Sequence, residues 1–172
     1  MVYLKVIIKI VKYIRSFLSE ICLFESKKNK KKISFRNLTL LKYSKFDSIK
    51  NKNLKKYVKL SKKNKRFNNN HNLFALFLKN DLVCVGWMYV GRMWHITEID
   101  CKIHIKNKIL LYDFFTFEKF RNRGFYSKIL ILIKNLKTNK NFLIYCLSNN
   151  KASKRGIENS KFILLKKIRR NV

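Results

Sequence analysis

The sequence predicts an α+β fold: a mixed, mostly antiparallel twisted sheet flanked by helices, with an extra amphipathic helix at the N-terminus. Three observations carry that prediction. Residues 73–79 (LFALFLK) and 82–90 (LVCVGWMYV) are apolar runs on either side of Asn80-Asp81, a hairpin signal. Residues 94–105 and 109–117 (ILLYDFFTF) flank Asn107-Lys108 in the same way. A strand–helix–strand tail follows, and antiparallel strands leading into such a unit make a sheet with helices on its faces.

The elements are justified in chain order. Over residues 1–26, Lys5, Lys9, Lys12, Arg15 or Ser16, and Ser19 or Glu20 fall on one narrow helical stripe, and nearly everything else is apolar. The lysines argue against a spanning helix, and no small-residue cleavage site ends the run. Two readings stay open. The helix packs on the domain or on a partner chain, a homodimer contact, with its basic edge wet, or it lies on anionic lipid as a peripheral membrane contact. Residues 27–32 (KKNKKK) read as a solvated linker, so that 33–172 form the globular domain. Within it, 33–40 (ISFRNLTL) alternate as a strand, and Ser44-x-x-Asp47 opens a helix carrying Phe46, Ile49, Tyr57 and Leu60. Beyond the two hairpins, Ile129, Leu130, Ile133 and Leu136 recur at helical spacing over 126–138. A strand at 142–147, a short helix near 150–160 and a strand at 162–168 close the chain.

A chain of 172 residues with 47% hydrophobic and 14% aromatic content buries one real core, which excludes disorder throughout. Lys+Arg number 41 against 9 Asp+Glu, a net charge of +32. Such a balance speaks for nucleic acid or an anionic membrane. The chain is equally crowded with Asn, Ile and Phe, lacks Pro, and holds Ala only at Ala75 and Ala152. Those are the choices of an AT-rich coding sequence, and the charge is read mainly as that bias. Either way, the surface draws anionic ligands. Cys22, Cys84, Cys101 and Cys146 lie far apart, and His71, His95 and His104 form no metal-binding spacing. Neither zinc nor a disulfide framework is indicated, and the compartment reads as reducing cytosol.

The chemistry concentrates in Phe114-Phe-Thr-Phe-Glu-Lys-Phe-Arg-Asn-Arg-Gly-Phe-Tyr-Ser127. An apolar strand runs into a short polar loop whose Gly124 precedes a helix. That junction aims backbone N–H groups and a helix N-terminus at one spot, which suits a phosphate. Gly124 lets the backbone approach closely, and Arg121 and Arg123 add charge.

This segment resembles the GNAT superfamily of acyl-CoA N-acyltransferases, whose Arg/Gln-x-x-Gly-x-Gly/Ala is met by Arg121-Asn-Arg-Gly124-Phe-Tyr126 except at the last position. A second feature agrees: Asn150, a short helix, then Phe162 opening the next strand twelve residues later. With the preceding hairpins, the resemblance covers about residues 33–168. It implies acetyl-CoA as acyl donor, with no metal. Phe114, Phe115 and Thr116 would offer strand-end backbone to the pantetheine arm. Arg121, Asn122, Arg123, Gly124, Phe125, Tyr126 and Ser127 would hold the pyrophosphate, and Asn150 would bond near the thiol end. The implied reaction is attack of an amine on the thioester, helped by a base and by an acid for the thiolate.

The departures are specific. Tyr126 stands where Gly or Ala is usual, so its ring must be kept clear of the donor. Many members place a Tyr acid seven residues after the Asn; here that position is Ile157. Lys161 replaces the usual Gly before the terminal Phe. Three candidates remain for catalysis. Tyr145 points either to a cleft or into the core. Glu98 shares a strand face with Asp100 and acts as a base or sits in solvent, and Asp113 is the third. The pairing of Gly86-Trp87 with Asp113-x-x-Thr116 and the Arg-Asn-Arg-Gly loop looks more like members acting on sugars than like ribosomal-protein acetylases, which makes a sugar-type amine the expected acceptor. The rival expectation is a basic nucleic-acid-binding protein without enzymatic activity, which would need exposed aromatics interleaved with lysine.

Overall fold

The structure, a computed structural model, describes residues 19–27, 32–136 and 139–169. Its strands are β1 (Glu20–Ser26), β2 (Leu38–Tyr43), β3 (His71–Leu78), β4 (Asp81–Tyr89), β5 (Met93–Ile96), β6 (Cys101–His104), β7 (Lys108–Thr116), β8 (Asn141–Leu147) and β9 (Ile163–Arg169). The helices are α1 (Lys52–Leu60), α2 (Phe125–Ile133) and α3 (Lys151–Asn159). Seven strands form one sheet in the order β2-β3-β4-β7-β8-β1-β9. Every strand pairing in it is antiparallel except β7 with β8. The predicted α+β class is what the chain adopts.

Each face of the sheet has its own core. Strand alternation sends Phe74, Leu76, Cys84, Leu111, Ile144 and Phe24 to the side covered by α2 and α3, where Phe125, Ile129, Leu130, Ile133 and Ile157 meet them. The intervening residues, including Leu73, Ala75 and Trp87, face Leu54 and Val58 of α1. Ile21, Leu23, Leu110 and Leu143 continue that second face against the β5–β6 hairpin.

Four sequence expectations are corrected. Residues 20–26, read as the end of an N-terminal helix, are strand β1, paired with both β8 and β9. Ile21, Cys22, Leu23 and Phe24 are buried on both faces, and a strand buried on both faces shows a continuous apolar run that periodicity cannot tell from a helix. The rest of that predicted helix, residues 1–18, lies outside the described residues, as do 28–31 of the linker. The strand expected at 33–40 begins only at Leu38, because Asn37 turns the chain with φ 61°. The helix expected from Ser44 starts at Lys52, where Asn51 Oδ1 accepts from Leu54 N at 2.9 Å. Ser48 Oγ instead bonds back to Lys45 O at 2.7 Å, a local bond that competes with helix.

The second hairpin is also rearranged. Residues 94–105 do not run as one strand beside β7; they fold on themselves as β5 and β6 around Thr97–Asp100. Asp100 takes φ 48° and its carboxylate meets His95 Nε2 at 2.9 Å, which closes that turn. Glu98 and Asp100 therefore share no strand face. The first hairpin forms as predicted, with β3 and β4 paired from Leu78↔Asp81 to His71↔Tyr89.

Candidate active site

The site begins with a parting of strands. β7 and β8 pair only from Lys108↔Asn141 to Leu111↔Ile144, although both continue beyond. β8 stays with β1 through Leu147, while β7 stays with β4. A bulge lies on β7 where it leaves β8: between Val85↔Phe115 and Trp87↔Tyr112, the single residue Gly86 of β4 opposes Asp113 and Phe114 of β7. Asp113 absorbs it with φ 51°, a conformation that Asp tolerates better than most side chains. Gly86 faces the bulge, and a Cβ there would lie 2.1 Å from Cε1 of Phe114. At the far end the strands are tied, since Glu25 of β1 accepts from Lys108 Nζ at 2.9 Å and from Asn141 Nδ2 at 2.7 Å.

The gap between the strands opens into a cleft of about 1080 Å³. Its lining draws on both faces of the sheet: Phe114, Tyr126, Cys146 and Gly156 from the α2–α3 side, Glu98 and Tyr145 from the other. The cleft thus passes through the sheet.

The loop expected to bind an anion, Arg121–Ser127, lines this cleft except at Arg123. Gly124 has φ 72°, and a Cβ built on it would meet nothing within 4 Å. Space over the backbone is what a bound phosphate needs. None of the N–H groups from Asn122 to Ser127 donates a well-formed hydrogen bond among the described residues; the first helical bond is Lys128 N to Gly124 O at 3.0 Å. The start of α2 carries no side-chain cap. A row of unsatisfied donors at a helix N-terminus fits an anion such as a pyrophosphate. Arg121 lines the cleft, its Nε donating to Thr116 O at 3.3 Å. Arg123 turns outward and stacks on Phe120 and Phe125, so the structure does not bring it to the cleft. Asn150 lines the cleft while its Oδ1 caps α3 by accepting from Ser153 N at 3.0 Å.

Tyr126, the departure from the expected motif, is accommodated by another residue. A Cβ at position 156 would lie 2.4 Å from Cδ1 of Tyr126, so Gly156 of α3 makes room for the ring. Phe114 packs on it with ring centroids 5.4 Å apart. Ser127 Oγ donates to Gly156 O at 3.0 Å and fixes the two helices at this point.

At the other mouth the three catalytic candidates converge. Glu98 sits in the exposed β5–β6 turn and accepts from Thr97 Oγ1 at 3.2 Å. Tyr145 follows the last β7–β8 pair, and its Oη accepts from Trp94 Nε1 at 3.3 Å. Burial, with the Glu98 charge adding to it, pushes the Tyr145 phenol up to about 12, so it stays protonated. Asp113 meets Lys63 Nζ at 2.8 Å and Arg66 Nη1 at 2.5 Å. Burial works to raise its carboxyl, but those two cations outweigh burial and hold it below the usual carboxylate range. Lys63, Arg66 and Gly156 escaped the sequence reading, whereas Trp94, read from sequence as core or pocket wall, packs beside the cleft and bonds to Tyr145. Glycine scarcity was the available signal, because a chain with 4 glycines gives each a reason.

No family model and no curated protein matches the sequence. Solved structures match the fold. A functionally unknown conserved protein from Staphylococcus epidermidis ATCC 12228 aligns with a TM-score of 0.56 and 10% identity, over 87% of this chain and 59% of that one. A putative acetyltransferase from the GNAT family of Novosphingobium aromaticivorans DSM 12444 aligns at 0.55 and 9%, over 87% and 61%. The chain thus spans about three fifths of the length of either structure. The likeness is one of fold, shared with a protein described as a GNAT acetyltransferase.

Proposed function

We propose that this protein is an acyltransferase that moves the acetyl group of acetyl-CoA to an amine of a small molecule, with a sugar-type acceptor as the leading candidate. The carrying observation is the row of unsatisfied amides from Asn122 to Ser127 beside the open space at Gly124, at one mouth of a cleft whose other mouth holds a carboxylate and a tyrosine. In this reading the amides and Arg121 bind the pyrophosphate, and the parted strand edge at Phe114–Thr116 offers backbone to the pantetheine arm. The Asn150 amide bonds near its thiol end. Acetyl-CoA supplies the activated acyl carbon.

Glu98 takes the proton that the attacking amine must lose, being the cleft carboxylate not locked between cations. Asp113 is the poorer base, because Lys63 and Arg66 keep it ionised; it fixes those cations at the acceptor mouth. Tyr145 accepts from Trp94 and so keeps its own proton free to stabilise charge growing on the thioester oxygen. Calorimetry of the full-length protein with acetyl-CoA, then thiol release across a panel of amines and amino sugars, tests the reading. Saturable binding and amine-dependent thiol release are expected. Glu98→Gln should lower the rate by about 100-fold with little change in acetyl-CoA affinity. Binding of RNA oligonucleotides but not of acetyl-CoA would overturn the proposal in favour of the nucleic-acid reading.

A further inference from the structure

The last strand of the sheet begins with apolar side chains that no core covers. β9 is an edge strand, paired with β1 alone. Phe162, just before it, is buried in the core beneath α2 and α3, yet Ile163, Leu164 and Leu165 are 74%, 42% and 47% exposed. Single exposed leucines are ordinary on a protein surface, but three consecutive branched side chains form a patch. Leu164 lies opposite Phe24 and Ile163 opposite Glu25, so the patch turns to both faces of the sheet. Basic side chains surround it. Lys161 precedes the strand, and Lys166, Lys167 and Arg169 follow along it. Lys27, the first residue of the KKNKKK run, is close by, because Ser26 Oγ donates to both Lys27 O and Lys161 O, at 3.1 and 3.0 Å. Little acid offsets them. Of the carboxylates on β1, Glu20 is held by Lys167 and Arg169, and Glu25 by Lys108. Lys166 has no ion-pair partner among the described residues.

We infer that this end of β9 is a contact surface for a membrane carrying anionic lipid. Ile163, Leu164 and Leu165 enter the boundary between headgroups and acyl chains, and Lys27, Lys161 and Lys166 reach the lipid phosphates around them. The aliphatic stems of the lysines allow that reach while the charge stays wet. The unpaired N–H and C=O groups of an edge strand must keep water, which holds the strand at headgroup depth and out of the hydrocarbon. Other occupants fit the patch less well. A helix or a second sheet docks on one face, whereas lipid surrounds a tip that is apolar on both. A second copy pairing edge to edge would set the lysines of one β9 against those of the other, and repulsion between two chains of +32 opposes it. Nucleic acid is held by exposed aromatic rings, and Ile163, Leu164 and Leu165 offer none. The contact is also separate from the one expected of the N-terminal segment. Residues 1–18 join the sheet near Glu20, which bonds to Arg169, and Ile163 lies at the opposite end of β9. It is separate from the cleft as well, since no lining residue of the cleft belongs to β9.

Flotation of the full-length protein with vesicles of phosphatidylcholine, alone or with phosphatidylglycerol added, tests the assignment. Wild type should float with the anionic vesicles and not with the neutral ones. The combined change Ile163→Thr, Leu164→Thr and Leu165→Thr keeps the charge and the strand propensity. It should weaken binding by at least about tenfold, and the loss should persist at near-physiological salt, because salt does not screen apolar burial. Lys166→Gln should cost about fivefold at low salt and less as salt rises. Circular dichroism should show the same thermal transition in each protein. If the triple variant does not fold, Ile163→Thr alone, at the most exposed of the three positions, should still weaken binding by about threefold. Wild type that does not float with anionic vesicles overturns the proposal. So does a folded threonine variant that floats as well as wild type, which would assign the membrane contact to residues 1–18 or to the charge at large. A wild type found dimeric by light scattering, with a monomeric triple variant and equal flotation of the two, would assign the patch to a second copy and overturn it likewise.

Discussion

At the residue scale, two positions separate backbone conformation from ligand contact. Gly124 is left-handed at φ 72° with open space above it, so it meets a demand of the chain and, in the acyltransferase reading, a demand of the ligand as well. A branched side chain resists that conformation by about 1–2 kcal/mol or more. Gly124→Val should therefore lower the melting temperature and cut acetyl-CoA affinity by at least about tenfold. Gly124→Asn tolerates the left-handed conformation yet still places a Cβ in the open space. It should keep its stability and lose binding, which differential scanning calorimetry and a titration together would reveal. Asp113 offers the second test. Its folded carboxyl is held below its ordinary value, so the stabilisation is fully present above the unfolded pKa of about 4 and disappears as pH falls through the folded value. Asp113→Asn keeps the left-handed geometry but not the charge. Its melting temperature should fall below wild type at pH 7, and the difference should close below about pH 3. A constant difference across that range would show that the bulge, not the ion pairs, is what Asp113 maintains.

At the element scale, β1 and β7 decide whether a cleft exists. β1 lies inside the sheet between β8 and β9, with Glu20 bridged to Lys167 and Arg169 on one neighbour. A domain beginning at residue 33 would lack it. Ile21, Leu23 and Phe24 are among its buried side chains, and truncating even one such residue in a core costs about 2–5 kcal/mol. Whole domains hold only about 5–15 kcal/mol of stability. Deleting residues 1–26 should leave a chain with no cooperative thermal transition by circular dichroism; a cooperative one would mean the sheet closes without β1. In β7, the parting from β8 depends on Phe114 lying over Gly86. Gly86→Ala places a methyl group 2.1 Å from the Phe114 ring. The overpacking should cost about 1–3 kcal/mol, read as a lower denaturation midpoint.

At the scale of the whole molecule, the net charge of +32 draws anions without itself selecting one. Most aromatic rings are engaged inside the two cores or in the cleft, where they cannot form an exposed stacking platform. Binding of RNA oligonucleotides should accordingly show no sequence preference and fall steeply with salt, as counterion release dictates. Filter binding at rising salt checks this. A sequence-selective complex that survives near-physiological salt would show that the lysines were selected for a nucleic-acid partner. Acetyl-CoA is anionic as well, and its association rate should slow with ionic strength for the same reason. Among the described residues, no helix is long and apolar enough to cross a membrane.

The sequence by itself determined the sheet class, the first hairpin, the tail of α2, β8, α3 and β9, and the glycine at the junction of strand and helix at Gly124. All of these are local. Their signals sit within a few residues: a turn dipeptide between apolar runs, a helical repeat, a glycine at a strand-to-helix junction. The tertiary structure alone decided what depends on contacts between distant segments. The apolar run of β1 takes its strand identity from two neighbours more than a hundred residues away. Asp113 became a poor base because Lys63 and Arg66 lie against it. Tyr126 fits the cleft because Gly156, thirty residues on, has no side chain. Periodicity reports which face a residue turns inward, and it carries no record of what that face will meet.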